Sequence, residues 1–268
     1  PNPKLPDNYK FNSISITDID KLLKNPYHIY AKKLLKLKEL NKIDYESSFA
    51  EFGSFVHEAL ENYVLNGEEK SFSEVEFLAL GEKIFDKYFI NKDTKILWWS
   101  KFENIISDFL PQNKQYEGSK NFVELKAKHK ILDVEIVGKI DRIIVNQKNE
   151  AEILDYKTGQ VPNKKSVTSG QNLQLLICAL LFAESQEFRG SNLEICALTY
   201  WKLSSFSEGK ITKITNKKEE TLELVKLAKD FLHEIFNYFF IKNNGFLATQ
   251  NDEKSEFKNL IRKEEWNQ

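Results

Sequence analysis

Two short runs in the middle of the chain combine carboxylates with a lysine at a spacing that suits strands. They are GKIDR at residues 138–142 and ILDYKTG at residues 153–159. Residues two apart in a strand point to the same face, so Asp155 and Lys157 share one. A hairpin can bring Asp141 beside Asp155, although the sequence does not fix the register. Carboxylates that hold Mg²⁺ or Mn²⁺ beside a lysine are suited to phosphodiester hydrolysis, because the cation activates water and the lysine stabilises developing charge.

The D-x-K pattern alone is weak evidence, because three-residue patterns recur by chance and an exposed Asp155–Lys157 salt bridge is the ordinary alternative. His57 follows Gly53 by one turn in a segment of helical periodicity, and the glycine leaves space over the imidazole. His57 is therefore a candidate third metal ligand or phosphate contact, with a half-buried helix histidine as the alternative. Glu124 either joins the ligand set or is a solvated strand residue.

The spacing of apolar residues predicts helices first, a β-meander in the middle, and then helix, strand and helix. The predicted helices cover residues 15–24, 27–37, 46–64, 73–90, 97–110, 171–184 and 217–241, and the predicted strands cover 122–145 (two strands joined near Leu132-Asp133), 151–157 and 193–203, with a possible hairpin at 207–209. This order predicts a mixed α/β fold. We expect one domain over residues 1–268, with an extended segment at 1–12, a mainly helical part at 13–120 and the catalytic sheet with its flanking helices at 121–268.

The composition limits the partners and the compartment. Charged residues make up 29% of the chain but give a net charge of only -1, so any contact with DNA must be a local patch. Cys178 and Cys196 lie in apolar runs and are predicted to be reduced core residues. With no membrane-length apolar run and no secretion signal, we expect a cytoplasmic location and no membrane partner. The sequence starts at Pro1 and lacks methionine, which indicates a fragment of a larger protein.

A lysine-rich segment at residues 21–42 is the candidate DNA-binding patch. Aromatic residues alternate with the lysines, and this mixture can follow a phosphate backbone and stack bases. The residues selected are Tyr27, Tyr30, Lys32, Lys33 and Lys36. The alternative is the ordinary solvated face of a helix.

The order of these features resembles the nuclease domain of the RecB family, which has the PD-(D/E)xK type of site. G-x-x-x-H on a helix precedes G-x-I-D-R, I-L-D-Y-K-T-G and a helix that carries a glutamine, Gln174. Five segments are similar to the C-terminal domain of alphaproteobacterial AddB, a subunit of the AddAB helicase-nuclease. They are residues 15–37, 52–61, 154–159, 173–181 and 198–203.

The resemblance implies a restriction-endonuclease-like core, with a mixed β-sheet flanked by helices and a helical N-terminal extension. It also implies a Mg²⁺- or Mn²⁺-dependent exonuclease that prefers single-stranded DNA and acts with an AddA-type helicase subunit in double-strand break repair. By this resemblance the site residues are His57, Asp141, Asp155 and the Tyr156 backbone carbonyl as metal ligands, Lys157 as the catalytic lysine, and Gln174 as a residue that positions DNA.

Two departures from the family pattern are visible. Many relatives hold an iron-sulfur cluster with four cysteines, whereas this chain has 2, so we expect no such cluster. Cys178 stands where relatives often have a tyrosine one turn after the glutamine. Two other functions remain open: a catalytically inactive nuclease fold that binds DNA or a helicase, and a stand-alone RecB-like exonuclease.

Overall fold

A computed structural model describes residues 2–38, 49–67, 73–89, 92–204, 209–249, 257 and 260. The N-terminal helices are α1 (Ile16–Lys24), α2 (Pro26–Ile29), α3 (Phe49–Gly67), α4 (Glu74–Tyr88) and α5 (Lys92–Asn113). Helix α1 begins where the sequence predicts, because the Ser15 side chain accepts a hydrogen bond from the Asp18 backbone N–H. A capping box between Ser73 and Glu76 starts α4 in the same way.

The helix predicted over residues 27–37 is shorter than expected. Helix α2 continues as a π-helical turn at Tyr30–Leu34 and ends there. Lys36 has a φ of 53°, in the left-handed region, which a right-handed helix cannot contain. Helix α5 is longer at both ends than the predicted 97–110, and residues 46–48 of the predicted third helix lie outside the described residues.

The strands form a six-stranded mixed sheet. They are β1 (Ser13–Ser15), β2 (Lys120–Ile131), β3 (Val134–Val145), β4 (Glu150–Lys157), β5 (Glu194–Lys202) and β6 (Lys210–Thr215). Strand β1 precedes the N-terminal helices, and the other five strands follow them. The predicted join at Leu132-Asp133 is confirmed, since both residues have positive φ, 47° and 67°, in the turn between β2 and β3. The sequence prediction missed β1 and gave no range for β6. Strands β5 and β6 are antiparallel, and residues 207 and 208 of the predicted hairpin lie outside the described residues.

Helices cover both faces of the sheet. The later helices are α6 (Lys164–Thr168), α7 (Gln174–Ala183), α8 (Gln186–Arg189) and α9 (Lys218–Phe236), which continues into a π-helical turn at Asn237–Ile241. One hydrophobic core joins the sheet to α1, α7 and α9, and a second joins it to α3, α4 and α5. The predicted α/β class is confirmed. The short helices α6 and α8 were not predicted, because four or five residues give no readable helical period.

Candidate metal centre and active site

Strand β3, which is as long as β2, has two neighbours along one edge. Strand β1 pairs with residues 135–137 of β3, and β4 pairs with residues 142–145. The last pair between β3 and β4 is Arg142 with Leu154, so the register places Asp141 opposite Asp155 one position further on. The two carboxylates therefore meet where β3 and β4 separate, which the sequence alone did not decide.

Asp141 is held by two contacts from different elements. Its Oδ2 accepts a hydrogen bond from the Tyr156 backbone N–H at 2.9 Å and lies 3.4 Å from Nδ1 of His57 on α3. The amphipathic helix α3 thus brings the imidazole to the end of β4. Gly53 makes this approach possible for a different reason than predicted, since a Cβ there would lie 3.1 Å from the Thr158 hydroxyl oxygen, in the run that follows β4.

Asp155, Lys157 and Gln174 form a closed triangle of contacts. Lys157 Nζ lies 2.6 Å from Asp155 Oδ2, and it donates a hydrogen bond of 3.0 Å to Gln174 Oε1. The Gln174 amide in turn donates to Asp155 Oδ1 at 2.8 Å. Asp155 and Lys157 therefore share a strand face, as predicted, and the first residue of α7 connects them. Because the glutamine oxygen faces the ammonium and its NH₂ faces the carboxylate, both of its polar groups are satisfied.

Glu124 falls level with Asp141, because its neighbours Val123 and Leu125 pair with Arg142 and Ile140, but the pairing is interrupted at Glu124 itself, which has a φ of 49°. This left-handed residue interrupts the alternation of the strand, so that Phe122 and Leu125 both pack against the same core. Strained backbone of this kind costs on the order of 1–3 kcal/mol and is concentrated at functional sites. One ligand atom from each of His57, Glu124 and Asp141 lies within 4.8 Å of the others, a spacing that can hold a metal ion.

The charges of the site change the pKa values of its members. Burial and, after it, the charge of Asp141 raise the pKa of Asp155 to about 7, although Lys157 acts in the opposite direction. Burial alone would also raise the pKa of Asp141, but His57 and the Tyr156 N–H lower it below its ordinary value. For His57, burial acts to lower the pKa, and the carboxylate of Asp141 outweighs this and raises it.

Arg142 and the Tyr156 side chain face away from the carboxylates. Arg142 is only 2% exposed and donates hydrogen bonds to Asn121 Oδ1 at 2.8 Å, Asn113 Oδ1 at 2.7 Å and the Tyr156 hydroxyl at 3.1 Å. This arginine of the GKIDR run therefore joins the end of α5 to β2 and β4. Its role is to support the strands that carry the site.

Asp20 is a neighbour of the site that sequence reasoning missed. Its Oδ1 accepts a hydrogen bond of 3.3 Å from the backbone N–H of Leu173, the N-cap residue of α7, which has no cap from its own side chain. Burial raises the pKa of Asp20, and the charges of Lys24 and Lys157 lower it. The sequence offered one sign of this role, an acidic residue on the inner side of α1. An acidic residue near the start of a helix is explained equally well by its interaction with the helix dipole.

Several residues of the lysine-rich segment contact other parts of the protein and do not form an open surface for DNA. Lys32 and Lys33 contact the two oxygens of the buried Asp18 at 2.8 and 2.9 Å. Tyr27 is buried, and Tyr30 packs near Phe246 with 5.8 Å between ring centroids. These contacts give the two lysines and two tyrosines a structural role, and their contact with DNA stays a prediction, as does that of Lys36.

The cysteines are consistent with the predicted reduced state. Cys178 and Cys196 are free thiols; the first is buried and the second half-buried. Burial raises the pKa of the Cys178 thiol well above its ordinary value, and the nearby Asp155 raises it further. Neither environment favours a reactive thiolate.

Comparison with known proteins identifies the family. A model of the PD-(D/E)XK nuclease superfamily matches residues 13–252. The chain belongs to this superfamily. A candidate exonuclease from Eubacterium rectale has the same fold: its crystal structure covers 97% of this chain and 94% of its own, with a TM-score of 0.55 and 12% identity. The predicted nuclease-type core is confirmed at this level.

Two Rickettsia relatives of this PD-(D/E)XK chain are uncharacterised proteins. The one from Rickettsia bellii is 30% identical over 257 residues, which are 88% of this chain and 30% of the relative. The one from Rickettsia typhi is 32% identical over 202 residues, which are 69% of this chain and 23% of the relative. The chain thus spans less than a third of these proteins. Within the described ranges, no helix is both long and apolar enough to cross a membrane.

Proposed function

We propose that this PD-(D/E)XK chain is a metal-dependent DNA nuclease domain that hydrolyses phosphodiester bonds and prefers single-stranded DNA. One observation carries the proposal. The donor cluster of His57, Glu124 and Asp141 lies against the contact triangle of Asp155, Lys157 and Gln174. A set of oxygen and nitrogen ligands beside a fixed ammonium group is suited to hydrolysis of a phosphodiester, because a cation held there would activate water and the ammonium would stabilise developing charge.

The residues fit a divalent cation such as Mg²⁺ or Mn²⁺. Two carboxylates and one imidazole offer ligand atoms within 4.8 Å of one another. In the same site, the buried Asp155 Oδ2 has the Lys157 ammonium 2.6 Å away, and an ionised carboxylate oxygen can accept a further bond beside that contact. A cation held by these groups would offset phosphate charge and lower the pKa of a water molecule. The predicted ligands Asp155 and the Tyr156 carbonyl remain part of the proposal.

Each neighbouring residue has a role that follows from its contacts. Lys157 is fixed by Asp155 and Gln174, so its ammonium can stabilise negative charge on the phosphate as the P–O bond to the leaving group breaks. Gln174 keeps the lysine and the carboxylate in one orientation, and its predicted contact with DNA remains part of the proposal. His57 orients Asp141 and supplies a nitrogen ligand.

We further propose an AddB-like setting, in which this domain cuts DNA that an AddA-type helicase unwinds during double-strand break repair in the cytoplasm. Support comes from the sequence similarity, which runs in the same order from residue 15 to residue 203. A nearly neutral chain also binds DNA weakly by itself, so delivery by a motor subunit would raise the local substrate concentration.

Cleavage of end-labelled single-stranded and double-stranded oligonucleotides, with Mg²⁺, Mn²⁺ or EDTA, tests the nuclease proposal. We expect faster loss of the single strand, complete dependence on the cation, and a decrease of about 100-fold or more in Asp155→Ala and Lys157→Ala. Lys213→Ala, which removes an exposed lysine from β6, is the matched control. Undiminished cleavage by both site variants would refute the assignment, and wild-type protein that binds DNA without cutting it would favour the inactive scaffold.

A further inference from the structure

Two lysines face each other on the hairpin of β2 and β3. Lys126 and Lys139 are direct cross-strand partners. Like charges in this position repel and destabilise a sheet. Favourable packing does not explain the pair, because Lys126 is exposed and the Lys139 side chain is 51% exposed. A bound anion between the two ammonium groups would turn this repulsion into attraction.

The lysine pair lies next to the candidate metal centre on the same face. The next residues along the two strands in that direction, two positions on, are Glu124 and Asp141. Two residues of a strand span about 6.7 Å. The Lys139 ammonium also contacts the Glu124 carboxylate, which shows that the pair and the centre share one face of the hairpin. The two ammonium groups therefore lie on strand positions two residues away from the carboxylates of the candidate metal centre.

The other lysines of this face have carboxylate partners of their own. Lys128 pairs with Glu135 and Lys130 with Asp133, each at 3.0 Å. Lys126 makes no ion pair among the described residues. Lys139 has Glu124 as its partner, and its charge also lowers the pKa of Glu58.

Glu58 is itself satisfied by other groups. Lys87 Nζ donates to its carboxylate at 2.7 Å, and the Tyr88 hydroxyl donates to the same oxygen at 2.5 Å. A cation bound to Glu124 would offset the charge of this carboxylate and so weaken its attraction for the Lys139 ammonium. Lys126 and Lys139 then add positive charge on the hairpin side of the centre, apart from the Lys157 ammonium on β4.

We propose that Lys126 and Lys139 form a subsite for the phosphate adjacent to the scissile phosphate of a DNA strand. This inference rests on the proposed nuclease function and adds a means by which the DNA strand is aligned in the site. The subsite contacts phosphate rather than bases, so it recognises the strand without reading its sequence. It differs from the predicted DNA patch at residues 21–42, whose Lys32 and Lys33 are paired with Asp18.

Kinetics on two kinds of substrate test the subsite. Lys126→Ala, Lys139→Ala and the double variant are compared on an oligonucleotide and on bis(p-nitrophenyl) phosphate, a small diester with no adjacent phosphate. We expect the oligonucleotide KM to rise about tenfold per lysine with little change in kcat. Hydrolysis of the small diester by Lys126→Ala, whose lysine makes no ion pair among the described residues, should be unchanged, and Lys126→Arg and Lys139→Arg should restore the oligonucleotide KM.

A neutral methylphosphonate linkage, scanned along the oligonucleotide, locates the contact. At the position next to the cleaved bond it should raise the wild-type KM as much as the double variant does and should cause no further loss in that variant. Lys128→Ala and Lys130→Ala are the matched controls, because these lysines lie on the same face but have their own partners. Equal effects from the controls would overturn the proposal, since they would indicate a diffuse charge effect.

Binding without catalysis provides an independent readout. Fluorescence anisotropy of labelled single-stranded DNA in EDTA should show weaker binding by Lys126→Ala, with the slope of log K against log salt smaller by about 0.7. Its melting temperature should stay the same or rise, because a repulsion is removed. An unchanged affinity and salt slope would refute the subsite whether or not the protein cuts DNA.

Loss of hydrolysis of the small diester in both alanine variants would instead place the lysines at the reacting phosphate. Failure of the wild type to cut either substrate would count against the proposed nuclease function alone.

Discussion

The Asp141 carboxylate accepts a hydrogen bond from the Tyr156 backbone N–H, with 2.9 Å between Oδ2 and N. The strand that carries Asp155 and Lys157 thus fixes the orientation of the carboxylate from the neighbouring strand. The same oxygen faces His57 at 3.4 Å. Asp141 Oδ2 therefore has two roles: it holds the end of the neighbouring strand by a hydrogen bond, and it belongs to the candidate metal centre. Substitutions of Asp141 can separate these two roles.

Asp141→Asn should abolish cleavage but leave stability close to wild type, because an amide oxygen can still accept the hydrogen bond from Tyr156. Asp141→Ala should abolish cleavage and also lower the free energy of unfolding by about 1–3 kcal/mol, since a buried N–H loses its acceptor. Urea unfolding at neutral pH, measured alongside cleavage, distinguishes the variants. Equal destabilisation in both would show that the hydrogen bond does not fix the strand end.

Gln174 should affect kcat more than KM if its main role is to fix the Lys157 ammonium. Gln174→Ala removes both of its contacts, and we expect kcat to decrease by about tenfold to 100-fold with a smaller change in KM. Gln174→Glu should be worse, because a second carboxylate would then face Asp155. Steady-state kinetics on a single-stranded oligonucleotide measures both parameters. A change confined to KM would instead assign Gln174 to DNA binding.

Metal affinity should depend on Glu124 and His57. A cation that binds only the folded state stabilises it by an amount that grows with the logarithm of its concentration relative to Kd, so the melting temperature of the wild type should rise with Mn²⁺ concentration. Glu124→Gln and His57→Ala should shift this titration to higher Mn²⁺ concentrations. Glu58→Gln is the matched control, since Glu58 follows His57 on α3 but pairs with Lys87 and Tyr88. An identical titration for Glu124→Gln and wild type would remove Glu124 from the ligand set.

Asp20 should act through the N-terminus of α7. Asp20→Asn keeps an oxygen that accepts from the Leu173 N–H, so we expect activity near that of the wild type. Asp20→Ala removes the acceptor and should lower kcat about tenfold, because Gln174 then loses its fixed position. The exposed Lys21→Ala on the same helix serves as the control. Equal losses in the alanine and asparagine variants would contradict a hydrogen-bonding role.

Asp18 should make stability depend on pH in the acid range. Burial opposes the charged form, but Lys32, Lys33 and Ser15 lower the pKa of Asp18 to about 2, below its model-peptide value of 3.8. A lowered folded-state pKa gives stability that is present above the unfolded-state pKa and is lost as pH falls through the folded-state pKa. Asp18→Asn should therefore be less stable by about 2 kcal/mol at pH 7, and the difference should narrow below about pH 4. Urea unfolding of both proteins at several pH values measures this, and a constant difference would contradict the ion-pair account.

Local patterns in the sequence were sufficient for much of the fold and part of the site. The start of the first helix near residue 15, the turn at Leu132-Asp133 and the shared face of Asp155 and Lys157 depend on residues close together in the chain. Helix and strand periods report such short-range relationships directly. The nuclease superfamily also followed from the order of short motifs along the chain.

Only the tertiary structure decided which distant groups meet. The placement of Asp141 opposite Asp155, the left-handed φ of Glu124 and the pairing of Lys32 and Lys33 with Asp18 all depend on register or helix packing. The contact of Asp20 with Leu173 spans 153 positions in the chain. Such contacts result from the burial of apolar faces of the whole domain, which leaves no periodic signal at the polar residues that it brings together.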